Sequence, residues 1–488
     1  MKKIIYSVAL LAVVMLAGCS KNFEDMNTNP KQPTDVPSAY LLTSAQKNLT
    51  DILTSSNVNR NVFRLWTQHW TETTYFDESR YDVVTRLIAA NFWTPLYRDV
   101  LKDLDACKAA IAADNKITDK SVKASQTAIA DILEVYTYSV LLETYGNVPY
   151  GEAMDITNLQ PKYDDALTTY KDLFKRLDAD ITDLKAGSAS FAAGDVIYGG
   201  DNSLWVKFAA TLKMRMAMTL SEATGFDAKT AFEGAVADAM SSNADDAVFH
   251  YESTPPNTNP IWVDLIQSGR KDFIASETMI AWMQDSLKWT MDSVYNPDPR
   301  LSAYFRVNAS GNYTGGVNGT SNSYKNNAKP SYTVTDAAAP ATLMNYTEVE
   351  FLLAEAAARG WSVSGSAEDH YKAGISSSFA DWGVTADLND STGYYANPHV
   401  KYDAAHYEHC IGLQKWLALY NRPVDAWTEW RRLDYPALTP PPGMTAADIP
   451  SRMTYPIHEQ TINGSSYNAA SSAIGGDKLT TKLFWDKH

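Results

Sequence analysis

The chain is short of cysteine and short of positive charge. Among its 488 residues only Cys19, Cys107 and Cys410 are cysteine. That excludes a disulfide framework, leaves at most one bridge between Cys107 and Cys410, and requires stability to come from packing. Basic residues number 42 against 57 acidic ones, a net of −15. A nucleic-acid partner needs clustered Lys and Arg on phosphate, and a polybasic membrane patch needs the same residues, so both are excluded. Catalytic motifs are also missing. There is no Gly-x-Ser-x-Gly elbow, no phosphate-binding Gly-Lys-Ser/Thr loop and no dinucleotide fingerprint. Adjacent acids such as Asp164-Asp165 and Asp245-Asp246 diverge on a helix and cannot flank one glycosidic bond. His406, His409 and Cys410 lack the His-Glu-x-x-His order and have no second ligand pair nearby, so they read as a solvated helix face. The expectation is a protein without catalytic residues, metal or cofactor.

What is present begins at residue 1. Met1-Lys2-Lys3 is a short basic start, and Ile4 to Ala17 is apolar apart from Ser7. About 14 apolar residues give roughly 21 Å of helix, short of a ~30 Å hydrocarbon core, so the run is a signal peptide and no permanent span. It ends in Leu16-Ala17-Gly18-Cys19. Small residues enter a peptidase cleft, and the thiol that follows accepts acyl chains, several of which together anchor stably. The expectation is export, cleavage after residue 18 and lipid on Cys19. Residues 19–37 are polar and proline-punctuated, a tether from the lipid to the single domain expected over residues 38–488.

From about Ser38 the helical period dominates. Ile129, Ile132, Leu133, Tyr136, Val140 and Leu141 form a stripe within residues 122–144. Leu204, Phe208, Leu212, Met216 and Leu220 do so in 203–221, with Ser203 as the expected N-cap. Residues 346–380 read as a helical hairpin broken at Gly360, with small residues at the crossing, as in tetratricopeptide-like pairs. Trp427-Thr428-Glu429-Trp430-Arg431-Arg432 reads as a structural helix whose Trp residues pack and whose Arg residues pair with acids. Strand alternation is scarce. Two stretches break the helical pattern, 251–272 and the long polar segment 307–340, and a loop of the second kind usually carries function or disorder. Leu483-Phe484-Trp485 is expected to dock the C-terminal tail on the core. The fold class is mainly α: tetratricopeptide-like helix pairs packed with a loop-rich irregular subdomain.

Several segments together resemble the SusD/RagB family, in its SusD-like branch. They are LLETYGNVPYGEA (141–153), PKYDDALTTYKDLFKRLDADI (161–181), GDVIYGGDNSLWVKFAATLKMRMAMTLS (194–221), NPDPRLSAYF (296–305), NYTEVEFLLAEAAARGW (345–361), LQKWLALYNRPVDAWTEWRRLDYPAL (413–438) and KLFWD (482–486). One departure is Asn463-Gly464, where the family more usually has Asn-Pro. The resemblance implies a Bacteroidota lipoprotein held in outer-membrane lipid by its acyl anchor and displayed on the cell surface. Glu24 and Asp25 loosely match the acidic export signal. It further implies non-catalytic capture of an oligosaccharide, passed to a SusC-like TonB-dependent transporter over which the lipoprotein acts as a hinged lid. Peptide or other nutrient capture by the same lid, and more remotely a surface glycoside hydrolase, are the alternatives.

Sugar capture needs exposed rings beside amides, carboxylates and guanidinium groups. Three places meet that need. In residues 66–81, Trp66 and Trp70 share a helical face that serves either core or contact, and Tyr75 and Phe76 stand at the polar end. In 259–272, Trp262 follows a Pro-rich turn as platform or core, with Arg270 and Asp272 after it. In the 307–332 loop, Tyr313, Tyr324 and Tyr332 lie among asparagines that include Asn318, on a loop that faces a ligand, contacts the transporter, or is mobile and binds nothing. The ligand residues expected are Trp70, Tyr75, Phe76, Trp262, Arg270, Asp272, Tyr313, Asn318 and Tyr324.

Overall fold

A computed structural model describes residues 36–284 and 297–488. The signal peptide, Cys19 and nearly all of the 19–37 tether lie outside the described residues. Residues Ser38–His488 form one unit. Its long helices are α1 (Ser38–Thr54), α2 (Lys102–Ala113), α3 (Lys120–Tyr145), α4 (Ala166–Ala186) and α5 (Asn202–Thr219) in the first half. In the second half stand α6 (Tyr346–Ala358), α7 (Ala367–Asp381), α8 (Tyr407–Ala418) and α9 (Pro423–Leu433). Sequential helices pack as pairs: α1 on α2, α2 on α3, α3 on α4, α4 on α5, α6 on α7 and α8 on α9. No helix of the described residues is long and apolar enough to cross a membrane.

The apolar stripes found in the sequence are the packed faces. Ile129, Ile132, Leu133 and Leu141 of α3 and Phe208, Leu212 and Met216 of α5 are fully buried. The helix starts follow local chemistry: Asp119, Asp165, Asn345 and Ser366 each accept an N–H of the first turn. At α5 the cap is Asp201, which accepts from the N–H groups of Ser203 and Leu204, so Ser203 is a helical residue and not the cap. The shift follows from charge: a carboxylate accepts two orphan donors better than a hydroxyl does.

The 346–380 hairpin is α6 and α7, and its crossing is tight. A β-carbon placed on Gly374 of α7 would lie 2.9 to 3.0 Å from three ring atoms of Phe351 on α6, and Phe351 is fully buried. Gly374→Ala is therefore expected to destabilise the chain by about 1–3 kcal/mol, the cost of overpacking a filled core. A denaturant midpoint checks it, and an unchanged midpoint would show that the crossing relaxes.

Buried charge ties the second half to the first. Arg215 of α5 grips Glu348 of α6 with two hydrogen bonds of 2.6 and 2.7 Å. Arg422, at the start of α9, donates to the same carboxylate at 2.7 Å, and Asp425 lies 3.1 Å from Arg215 and 2.9 Å from Arg422. Nearby, Arg432 bonds Glu355 and Glu429, and Lys415 of α8 reaches Glu429 at 3.0 Å. Of the expected structural helix, Trp427 packs on Trp66 and Phe63, and Arg432 pairs with acids as read. Arg431 instead donates to the backbone carbonyls of Glu143 and Ser451, with its guanidinium 3.5 Å from the Trp427 ring centroid. Leu483 and Trp485 are buried, so the tail does dock. Cys107 and Cys410 are free thiols.

Strands among the described residues form three short antiparallel ribbons: β1 (Trp70–Glu72) with β3 (Phe273–Ala275), β2 (Ala247–Phe249) with β6 (Ala341–Met344), and β4 (Phe305–Arg306) with β5 (Lys329–Pro330). The 251–272 stretch is less irregular than its composition suggests. Asn259 accepts from Ile261 N–H with Pro260 in the first turn, starting a helical turn at Pro260–Trp262 that runs on through Val263–Gln267.

Candidate functional site

The 307–332 segment is fastened rather than loose. Asn308 folds its start, accepting from the N–H groups of Ser310 and Asn312 and donating to the Asn326 carbonyl at 2.8 Å. Gly316 donates to Ala275 O of β3 at 2.9 Å and accepts from Glu277 N at 2.8 Å. A β-carbon there would lie 2.4 Å from the end of the Ile274 side chain and 2.8 Å from the Asn322 amide, so a larger residue would have to displace them. Asn322 then locks onto β1, its amide donating to Glu72 O and its backbone N–H to Thr73 O, each at 2.8 Å. Ala328, which donates to Thr314 O, accepts from Ala275 N. Asn318 and Asn322 spend side-chain groups on holding the loop to β1.

The fastening builds a ledge. Thr73 bonds the Asp272 carbonyl through its N–H and the Lys271 carbonyl through its hydroxyl. Lys271 in turn holds its ammonium 5.9 Å from the Tyr324 ring centroid. Lys329 faces the same ring at 5.1 Å. Arg306 donates to the Tyr324 hydroxyl at 3.3 Å, and its guanidinium carbon lies 4.4 Å from the ring centroid of Tyr332, which is 72% exposed. Arg306 and Lys329 are directly opposite residues of the β4–β5 ribbon. Burial, and then the Arg306 charge, hold the Lys329 ammonium below its usual range. Arg270 and Asp272 pair with each other at the edge.

The structure thus gathers parts of all three sequence-nominated places and sets others aside. Tyr324, with Arg270 and Asp272, stands on or beside the ledge. Tyr75, 69% exposed at a positive φ of 56°, and half-buried Phe76 follow β1 just beyond Thr73. Trp70 is a correction. It is 1% exposed, its indole N–H donates to the Tyr420 hydroxyl at 2.7 Å, and Arg64 covers its ring, so no face is left for a sugar. Asn318 is a second one: it is buried, its side-chain oxygen accepting from the Thr71 hydroxyl at 3.3 Å. Tyr313 is half-buried against the core, and Trp262 is half-buried on a turn that packs against α1 instead of the ribbon. Arg306 and Lys329 escaped sequence reading. Their only signal is the pairing of two two-residue strands that flank a long loop.

The ledge offers what binding requires: two phenol rings at the surface, ringed by ammonium and guanidinium donors that suit hydroxyl or oxyanion acceptors.

A family model named SusD-like and described as "Starch-binding associating with outer membrane" matches residues 30–456. No curated protein matches the sequence. Among solved structures, one titled a chitin-binding protein is 26% identical, with a TM-score of 0.76 over 92% of this chain and 100% of that one. A SusD homologue from Parabacteroides distasonis is 22% identical, with a TM-score of 0.77 over 92% and 98%. A protein titled Bacteroidetes AC2a SusD-like gives 22% and 0.79 over 93% and 100%.

Proposed function

Because this chain belongs to the SusD-like family of non-catalytic, outer-membrane-associated glycan-binding proteins, we propose that it captures an oligosaccharide on the cell surface and passes it to a SusC-like TonB-dependent transporter. The observation that carries the reading is the ledge, where Tyr324 and Tyr332 are held at the surface among Lys271, Arg306 and Lys329. Rings of this kind stack on the apolar face of a pyranose while the cations donate to its hydroxyls. The anchor is lipid on Cys19 in the outer membrane, and the residues after it are the tether on which the lid swings. The relative titled chitin-binding makes chitooligosaccharides the first neutral ligands to try.

A calorimetric and glycan-array screen of the full chain is the test. Saturable binding of an oligosaccharide with no release of smaller sugars is expected, together with co-purification of a barrel partner from the native membrane. Hydrolysis of the bound sugar, or tight binding of peptides alone, would replace this reading.

A further inference from the structure

The ledge has a charge imbalance. In a chain with 57 acidic residues, Arg306 and Lys329 face one another across the β4–β5 ribbon. Like charges directly opposite on neighbouring strands destabilise the pair. Their neighbours do not offset it. Nine-tenths of Lys329 is covered, and the charge that acts on its ammonium is that of Arg306, with no carboxylate of the described residues offsetting it. The Arg306 Nε is buried with no hydrogen-bond partner. Among the described residues its guanidinium meets the Tyr324 hydroxyl and the Tyr332 ring. Lys271 adds a third cation over Tyr324, while the acid next to it in sequence, Asp272, is taken by Arg270.

Elsewhere among the described residues Arg215, Arg300, Arg422 and Arg432 each bond a carboxylate. Arg64 and Arg431, equally buried, bond neutral oxygens instead, yet the charges of Asp264 and of Asp486 and Glu143 still act on them. Covered cations without a counter-charge are costly, and the ring contacts recover only part of that cost. Among the described residues, therefore, no opposite charge offsets this pair, and it lies beside rings held at the surface.

We propose that the ledge selects a sugar unit that carries an oxyanion, a uronate carboxylate or a sulfate ester, seated between Arg306 and Lys329 with its ring against Tyr324 or Tyr332. This rests on glycan capture at the ledge and narrows it to acidic glycans. The guanidinium supplies a planar pair of donors to the oxyanion, Lys329 a point charge, and Lys271 a contact at the rim.

The test is calorimetry of the full chain with four probes: an oligogalacturonate, the same oligosaccharide methyl-esterified, a sulfated oligosaccharide and a chitooligosaccharide. An acidic probe is expected to bind at least about tenfold tighter than the neutral ones, with affinity that falls as salt rises. Which acidic probe wins distinguishes carboxylate from sulfate. Lys329→Gln is expected to remove most of that preference. Lys271→Gln, at an exposed position that leaves folding intact, should reduce it by several-fold and flatten the salt dependence. Equal or tighter binding of the neutral probes, unmoved by salt and by Lys271→Gln, would overturn the proposal and leave glycan capture standing. Failure of all four probes to bind would overturn both.

Discussion

Glu348→Ala is expected to cost about 3–5 kcal/mol of stability, because it leaves two buried guanidinium groups with only the Asp425 carboxylate between them. Arg215 and Arg422 both hold this carboxylate, and all three side chains are almost wholly covered. Equilibrium denaturation would measure the loss. A loss under about 1 kcal/mol would mean that the network contributes no more than an exposed pair. Replacing Glu348, Asp425 and both arginines together by apolar residues should recover much of it, since what destabilises is the orphaned charge rather than the absence of the pair. The same site predicts an acid limit. Burial alone would raise the Glu348 carboxyl, but Arg215 and then Arg422 hold it well below the usual carboxylate range. Its stabilisation is therefore fully present above the unfolded value near pH 4.5 and is lost as pH falls toward the depressed one. Glu355, held down to about 2 by Arg432 despite its burial, works in the same direction.

The second large effect concerns the ledge. Tyr324→Ala removes the ring that Lys271 and Lys329 frame and the hydroxyl that accepts from Arg306. For an aromatic at the centre of a contact, a loss of about 2 kcal/mol or more is expected, some thirtyfold in affinity, with only about 1 kcal/mol of folding stability lost alongside it. Two comparisons separate binding from folding. Trp262→Ala, on its turn against α1, is expected to leave affinity unchanged. Trp70→Ala is expected to lower stability by about 3–5 kcal/mol, because it empties a core site. If Tyr324→Ala bound the sugar as tightly as the parent chain, the ledge would not be the binding surface.

How legible all this was in the sequence depends on the range of the interactions involved. Helix pairs are written in local periodicity, which is why α3, α5 and the α6–α7 hairpin fall where the apolar stripes put them. Trp70 shows the limit of that signal. Its spacing from Trp66 fits one helical face, yet the helical turn ends at Trp66, and Gln68 takes a positive φ of 56° that redirects the chain into β1. Nothing in the sequence marks a glutamine for that conformation. The loop tyrosines were legible because rings among Asn, Gly and Ser have no local core to enter. Asn318 was misread for the same reason, since burial under a distant strand leaves no local trace. The facing of Arg306 and Lys329 depends on register across a long loop, which composition does not encode. Buried charges such as Glu348 look identical in sequence to solvated ones.

The many ties that fix the 307–332 segment to the β1–β3 ribbon also set a tempo. A surface already in its working shape has no ordering entropy to lose when a sugar arrives. Capture then proceeds at the rate of encounter, and differences between ligands appear in how long each one stays. A receptor built in this way can hold its cargo briefly and release it without refolding, which suits the proposed role of handing that cargo on.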